Sequence, residues 1–299
     1  MPRPQAPREN DPHPVGQDAA FDGPDWPGHR ETRRRPWLAA LLSLIATGAG
    51  QLYNGQWRKG LAFFSAEVAA ALILIPIMDT FAGLATAMAG LLAFNLLAAA
   101  EAYRTARRGG LRLTRLNRWW VYILAVLLSS GVGVAGERMV KSRFFQNFQV
   151  PSGSMEPTLL VGDRFMSARL KPDDAIRRAD VVVFVDEASG QHFVKRVVAL
   201  PGETVRIDAR QVFVDDRALA EPYARHVGRS MVPGRDSFRP LRLGPGEYFL
   251  LGDNRERSHD SRWLGPVQRE RIVTRALYIY LPGAADDRGW SARLGEPVR

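Results

Sequence analysis

Hydrophobic and polar positions divide the chain into two textures. Between Trp37 and Gly136 apolar residues run in long stretches, and beyond about Arg138 they fall into short bursts. The stretches 61–78, 81–100 and 119–136 are each long enough to cross a ~30 Å hydrocarbon core as a helix. A fourth, 37–50, would be only about 21 Å long and is expected to lie in the membrane as a short re-entrant or interfacial segment. The bursts at 181–185, 193–200, 204–207, 212–214, 248–251 and 275–280 are rich in Val, Ile, Phe and Tyr. Pro201-Gly202, Pro233-Gly234 and Pro245-Gly246 punctuate them, which predicts short strands joined by turns. The expected architecture is a helical membrane anchor over 37–137 followed by a mostly-β domain over 138–299. Residues 1–36 hold eight of the 20 prolines and no sustained apolar run. Such a stretch buries too little surface to offset its ordering entropy and reads as a disordered cytoplasmic tail.

Charge sets the orientation. The chain carries a formal net charge of +10, concentrated at 30–35, at 104–118 and in the second half. The segment 104–118 has six arginines and no acid, which marks it as cytoplasmic. The stretch 119–136 then exits, placing the β-rich half outside. Counting backwards, Arg58 and Lys59 are inside, and so is the tail with Arg33, Arg34 and Arg35, provided that 37–50 does not cross. Cleavage of 37–50 as a signal peptide would force 104–118 outside and is set aside.

Several function classes drop out. No nucleic-acid motif accompanies the basicity, so no nucleic-acid partner is expected. There is no cysteine, hence neither a disulfide framework nor a thiolate nucleophile or metal ligand. No metal-ligand cluster or phosphate loop stands out, and neither a metal nor another cofactor is expected. Glu67 lies within an apolar stretch, where a helix-interface or near-surface role is at least as good a reading as a functional one. The run Gly48-Ala49-Gly50-Gln51-Leu52-Tyr53-Asn54-Gly55, with Lys59-Gly60 after it, is similar to a glycine-rich signature of small two-helix membrane modules, a likeness that names no activity.

The chemistry centres on Val150-Pro151-Ser152-Gly153-Ser154-Met155-Glu156-Pro157. Two prolines and a glycine fix an irregular turn that can present a serine hydroxyl beside unpaired N–H groups. A serine alone is a poor nucleophile and needs a base. The histidines outside the tail are His192, His226 and His259, and Lys195 competes with them. Strand alternation sets Lys195 on one face with Phe193 and Val197, and Arg196 on the other. A lysine among apolar neighbours without a carboxylate loses solvation of its charged form. A fall from about 10.4 to about 7.5 requires roughly 4 kcal/mol.

Ser154 in Pro-Ser-Gly-Ser-Met, Lys195 in Lys-Arg-Val-Val-Ala-Leu-Pro-Gly, Arg178-Ala179-Asp180-Val181, and the run from Gly252-Asp253-Asn254 to Ser258-His259-Asp260-Ser261-Arg262 resemble the ordered boxes of bacterial signal peptidase I. The resemblance covers about residues 144–282. It implies a Ser-Lys endopeptidase of the cytoplasmic (inner) membrane, with its catalytic domain periplasmic. It also implies membrane lipid as a partner, and exported precursors as substrates cut after Ala-x-Ala through an acyl-enzyme. Ser154 would be the nucleophile and Lys195 the general base. Ser152 would join the oxyanion hole and Ser258 would orient Lys195. Asp253, Asp260 and Arg262 would support the loop. Val150, Pro151, Met155, Leu159, Phe193 and Val194 would line small apolar pockets. Ala179 stands where the family usually has Gly, an expected reshaping of that turn; Glu256-Arg257 and Trp263-Leu264-Gly265 also depart from the pattern. Rival readings are a specialised pilin or conjugative-transfer processing peptidase, a self-cleaving repressor, which the apolar first half disfavours, and a non-catalytic membrane scaffold with a β binding domain.

Overall fold

The computed structural model describes residues 34–111, 114, 116–283 and 289–299. Most of the expected tail therefore lies outside the described residues, as do Arg112 and Arg115. Five helices open the structure: α1 (Pro36–Ile45), α2 (Ala49–Tyr53), α3 (Trp57–Leu74), α4 (Phe81–Arg108) and α5 (Trp119–Arg143). A 3-10 turn, Ile75–Asp79, prolongs α3. Among the described residues three stretches are long and apolar enough to cross a membrane: Trp57–Asp79, Phe81–Arg108 and Trp119–Arg143. They show their apolar side chains outward, Ile73, Leu97 and Leu127 among them, as helices facing lipid do.

The helices run further than the apolar pattern. Helix α4 continues past Ala100, so Arg107 and Arg108 sit in its last turn, where cations complement the exposed carbonyls. Helix α5 continues past Gly136 to Arg143, with Lys141 and Glu137 paired one turn apart at 2.5 Å. The segment 37–50 breaks into α1, a turn and the start of α2. At ten residues α1 is about 15 Å long, half the hydrocarbon thickness. Gly48 opens α2 with φ 90, and a Cβ there would lie 2.1 Å from the Gly60 carbonyl oxygen. Only glycine permits this approach, which tucks the elbow against the foot of α3. Buried side-chain amides then fix the elbow. Gln51 Nε2 donates to Ala98 O at 2.7 Å and Asn54 Nδ2 to Ala102 O at 2.8 Å. Asn117 Nδ2 donates to Leu52 O and Tyr53 O, fastening the base of α5. In hydrocarbon such amides have no water to fall back on, so their bonds to backbone carbonyls hold the module together.

The remainder is the mostly-β domain that the turn-separated bursts predict, and the membrane helices carry it on the extracytoplasmic side. Eleven strands are described: β1 (Phe145–Gln149), β2 (Arg164–Arg169), β3 (Val181–Val185), β4 (His192–Ala199), β5 (Thr204–Asp208), β6 (Gln211–Val214), β7 (Arg217–Ala218), β8 (Phe238–Arg242), β9 (Glu247–Leu251), β10 (Val267–Gln268) and β11 (Ile272–Leu281). They form a seven-stranded antiparallel sheet, β1-β2-β11-β3-β4-β9-β10, and a four-stranded sheet, β7-β6-β5-β8. The first sheet's core holds Val150, Met155, Leu159, Phe165, Val181, Val183 and Ile279. Each such side chain stabilises the fold by about 1.5–3 kcal/mol relative to exposure. Strands β1, β2 and β8 have no apolar burst in the sequence because they are short and carry Gln, Asn or Arg. Strand β2 is nonetheless central between β1 and β11.

Among the described residues the domain meets the membrane module at the α5–β1 junction and at the turn between α3 and α4. Helix α5 runs almost directly into β1. Away from it, Tyr278 on β11 donates its hydroxyl to Met78 O at 2.9 Å and packs edge-on against Phe81, with centroids 6.0 Å apart.

Candidate active site

Ser154 is the middle residue of a single 3-10 turn, Gly153–Met155, between β1 and β2. The N–H groups that open such a turn have no intrahelical acceptor. The turn is clamped by the segment after β9: Asn254 N donates to Ser154 O at 3.1 Å, and Asn254 Nδ2 to Gly153 O at 3.1 Å. A Cβ on Gly252 would fall 2.6 Å from Ser154 O and 2.2 Å from Ser258 Oγ, so this close approach requires glycine.

Lys195 lies on β4 opposite Val182 of β3 and is only 2% exposed. Its Nζ donates to Ser154 Oγ at 3.0 Å and to Val194 O at 2.9 Å, and lies 5.6 Å from the centroid of the Phe193 ring. Burial depresses its pKa from 10.5 to about 8, against the opposing pull of Asp260 and Asp253. Both carboxylates are engaged elsewhere. Asp253 accepts from Arg196 Nε at 2.8 Å and Nη2 at 2.7 Å, and from Thr158 Oγ1 at 2.6 Å. Asp260 accepts from Arg262 Nε and Nη2, both at 2.8 Å, and from Gly252 N at 3.0 Å. Among the described residues these buried, bidentate pairs leave Lys195 close to negative charge and without an ion pair of its own.

Ser152 is exposed, and its Oγ lies 3.5 Å from Ser154 Oγ. Ser258 Oγ is buried beside Gly252 and makes no hydrogen bond, so the bond to Lys195 that the resemblance implies is not formed; the Lys195 amine turns to Ser154 and Val194 O instead. Val150, Met155 and Leu159 are sealed in the core, Phe193 and Val194 are half-buried and Pro151 is exposed. His192, His226 and His259 are all exposed. Among the described residues no cluster of three or more His, Cys, Asp or Glu could hold a metal ion.

Sequence reasoning passed over part of the support. Arg196 is fully buried, stacks 4.0 Å over Tyr223 and donates to Ala179 O at 2.8 Å. Glu221 takes both terminal nitrogens of Arg255, at 2.6 and 3.0 Å. Alternation placed Arg196 opposite Lys195, but Glu221 and Tyr223 sit in a strandless stretch with no pattern to mark them. Ala179 is held by the same strand as Lys195 and Arg196. The residue takes φ 70, the left-handed region, with its N–H on Val197 O and its carbonyl on Arg196.

The model of the family described as signal peptidase, peptidase S26, matches residues 117–281. The chain belongs to that family. Signal peptidase I of Bacillus amyloliquefaciens is 31% identical over 175 residues, 56% of this chain and 87% of the relative. Signal peptidase I T of Bacillus subtilis (strain 168) is 32% identical over 169 residues, 54% of this chain and 82% of the relative. A crystal structure of a signal peptidase I from Enterococcus faecalis V583 is 31% identical, covers 33% of this chain and 94% of that one, and superposes with a TM-score of 0.30. Membership makes the chain a peptidase in broad terms. The matched range takes in α5 and the β domain up to β11, and leaves α1–α4 outside.

Proposed function

We propose that this membrane protein cuts signal peptides from exported precursors after small residues, in the Ala-x-Ala pattern, with Ser154 and Lys195 as its catalytic pair. The observation that carries the reading is the 3.0 Å contact between a buried, unpaired amine and a serine hydroxyl on a constrained turn. Once Lys195 is neutral the bond reverses and the hydroxyl donates to Nζ. Ser154 Oγ then attacks the scissile carbonyl as its proton passes to Lys195. The Ser154 N–H and the Ser152 hydroxyl receive the oxyanion. Lys195 gives the proton to the departing amine, leaving an acyl-enzyme. Water, deprotonated by the same amine, attacks the ester and releases Ser154. Pro151, Phe193 and Val194 present the apolar surface against which small side chains of an extended substrate rest. Val150, Met155 and Leu159 back that surface from the core.

In this reading residues 37–137 form the anchor, with α1 and α2 as a re-entrant elbow, and 138–299 the peptidase domain. The decisive experiment is cleavage of an Ala-x-Ala precursor by the detergent-solubilised protein and by its Ser154→Ala and Lys195→Ala variants. Loss in both supports the pair, whereas equal turnover in all three overturns it.

A further inference from the structure

The elbow is packed on one side only. Helices α1 and α4 close over one flank through Ala39, Ala98 and Ala102, all buried. On the other flank α3 and α5 diverge and leave a cavity of about 310 Å³. Ala49 and Leu52 of the elbow, Trp57, Leu61 and Phe64 of α3, and Ala125 and Leu128 of α5 are among its lining residues. A void walled almost wholly by hydrocarbon does not hold water. Within a bilayer an alkyl chain fits it.

Cations flank the lining residues in sequence. Trp57 lines the cavity at the foot of α3, and the guanidinium of its neighbour Arg58 stacks 5.3 Å from the Trp57 ring. At the start of α5, Arg118 falls in sequence between the lining residues Leu116 and Val121, and stacks 5.9 Å from the Trp120 ring. Both cations lie at the cytoplasmic ends of their helices. Glu101, an acid of the same end of the module, is already held by Lys59 and by Gln51 at 2.9 Å. An apolar slot between two helices whose cytoplasmic ends carry Arg58 and Arg118 suits the acyl chain and phosphate of an anionic phospholipid. It does not suit a signal peptide, whose leading segment is itself basic. We propose that the cavity between α3 and α5 is a binding site for one anionic phospholipid, with an acyl chain against Leu52, Phe64 and Ala125 and its phosphate between Arg58 and Arg118. The site gives the glycine-rich elbow a role separate from the peptidase pair, and does not depend on that pair's assignment.

The test is lipid retention by the full chain. Protein is reconstituted in nanodiscs of equal phosphatidylglycerol and phosphatidylcholine, extracted into mild detergent and analysed by native mass spectrometry. The expected result is one retained phosphatidylglycerol, lost in Arg58→Gln/Arg118→Gln and in Ala125→Trp, which fills the slot. It is kept in Arg143→Gln, which removes a cation at the opposite end of α5. Turnover of a soluble peptide substrate serves as the folding control and should stay within twofold in all variants. Equal retention of the two lipids, or retention unaffected by Ala125→Trp, overturns the proposal. So does displacement of the lipid by a synthetic signal peptide, which would make the slot a substrate groove.

Discussion

Arg196 takes the carboxylate that Lys195 goes without. The two are neighbours on β4 with side chains on opposite faces, and both are buried. Arg196 holds Asp253 through two hydrogen bonds, while the Lys195 amine meets a hydroxyl and a carbonyl. One strand thereby separates a fully neutralised cation from a cation that is costly to keep charged. The difference arises from partners, since burial is nearly the same.

That cost sets a pH dependence. With a pKa of about 8 on Lys195, about a tenth of the amine is neutral at pH 7. The proposed base works only when neutral, so kcat/KM should rise tenfold per pH unit up to about pH 8 and then level. A profile on a soluble peptide substrate checks it, and a flat profile between pH 6 and 8 contradicts the role given to Lys195.

The same burial should make the active protein less stable than an inactive variant. Below about pH 8 Lys195 is charged both folded and unfolded, so its full desolvation penalty is carried. Between about 8 and 10.5 the folded chain releases its proton first and the penalty fades. Lys195→Met, similar in shape and uncharged, should be inactive and up to about 3 kcal/mol more stable at pH 7, less the two lost hydrogen bonds. Its advantage should shrink as pH rises toward 10.5. Thermal unfolding of the two proteins at pH 7 and pH 10 measures both effects.

For the Arg196–Asp253 pair, removing one partner strands the other charge in the core. Asp253→Asn should destabilise the domain by about 3–5 kcal/mol, a large share of a typical fold's stability. Replacing both, as Arg196→Met with Asp253→Leu, should recover most of that loss, because two desolvated ions leave together. Chemical denaturation of the three proteins gives the coupling between the positions.

How much of this was legible beforehand differs by element. The three long apolar helices and strand β3 follow from hydrophobic periodicity alone, because lipid or a two-sided core demands unbroken apolar runs there. Ser154 and Lys195 stood out through their boxes, and the alternation of β4 separated Lys195 from Arg196. Strand β2 was hidden because Arg164, Ser167 and Arg169 dilute its apolar positions, and its place depends on β1 and β11, which are remote in sequence. The Glu221–Arg255 pair was hidden for a similar reason: two long-range partners carry no local period. The core placement of Met155 and Leu159 needed the sheet itself, since motif position does not tell an exposed pocket wall from the layer behind it.

Ala179 carries strain that glycine would relieve. A left-handed alanine costs about 1–2 kcal/mol, and here β4 holds both of its backbone groups in place. Glycine recovers that energy but loosens the unfolded chain by about 0.4–1 kcal/mol. Ala179→Gly should therefore gain roughly 0.5–1 kcal/mol in net stability, read from denaturation midpoints, with peptide turnover unchanged. A loss of stability would mean that the turn is not strained.

The second attachment of the β domain should fix how the proposed catalytic pair stands over the bilayer. Helix α5 alone would leave the domain free to tilt about one point. The Tyr278 bond to Met78 O and its ring contact with Phe81 add a second point, towards the C-terminal end of β11, on the hairpin between α3 and α4. Tyr278→Phe removes about 1 kcal/mol of hydrogen bonding, and Phe81→Ala about 0.5–1.5 kcal/mol of ring packing beyond its buried area. Neither touches Ser154 or Lys195, so cleavage of a soluble peptide should remain as in the wild type. A precursor held in the membrane presents its bond at a set height, and a tilting domain should meet that bond less often and less uniformly. The double variant should therefore process a membrane-inserted precursor several-fold more slowly, with cuts spread over neighbouring positions in mass spectra of the products. Equal losses on both substrates would assign the contact to folding rather than to placement, and no loss on either would show that α5 suffices.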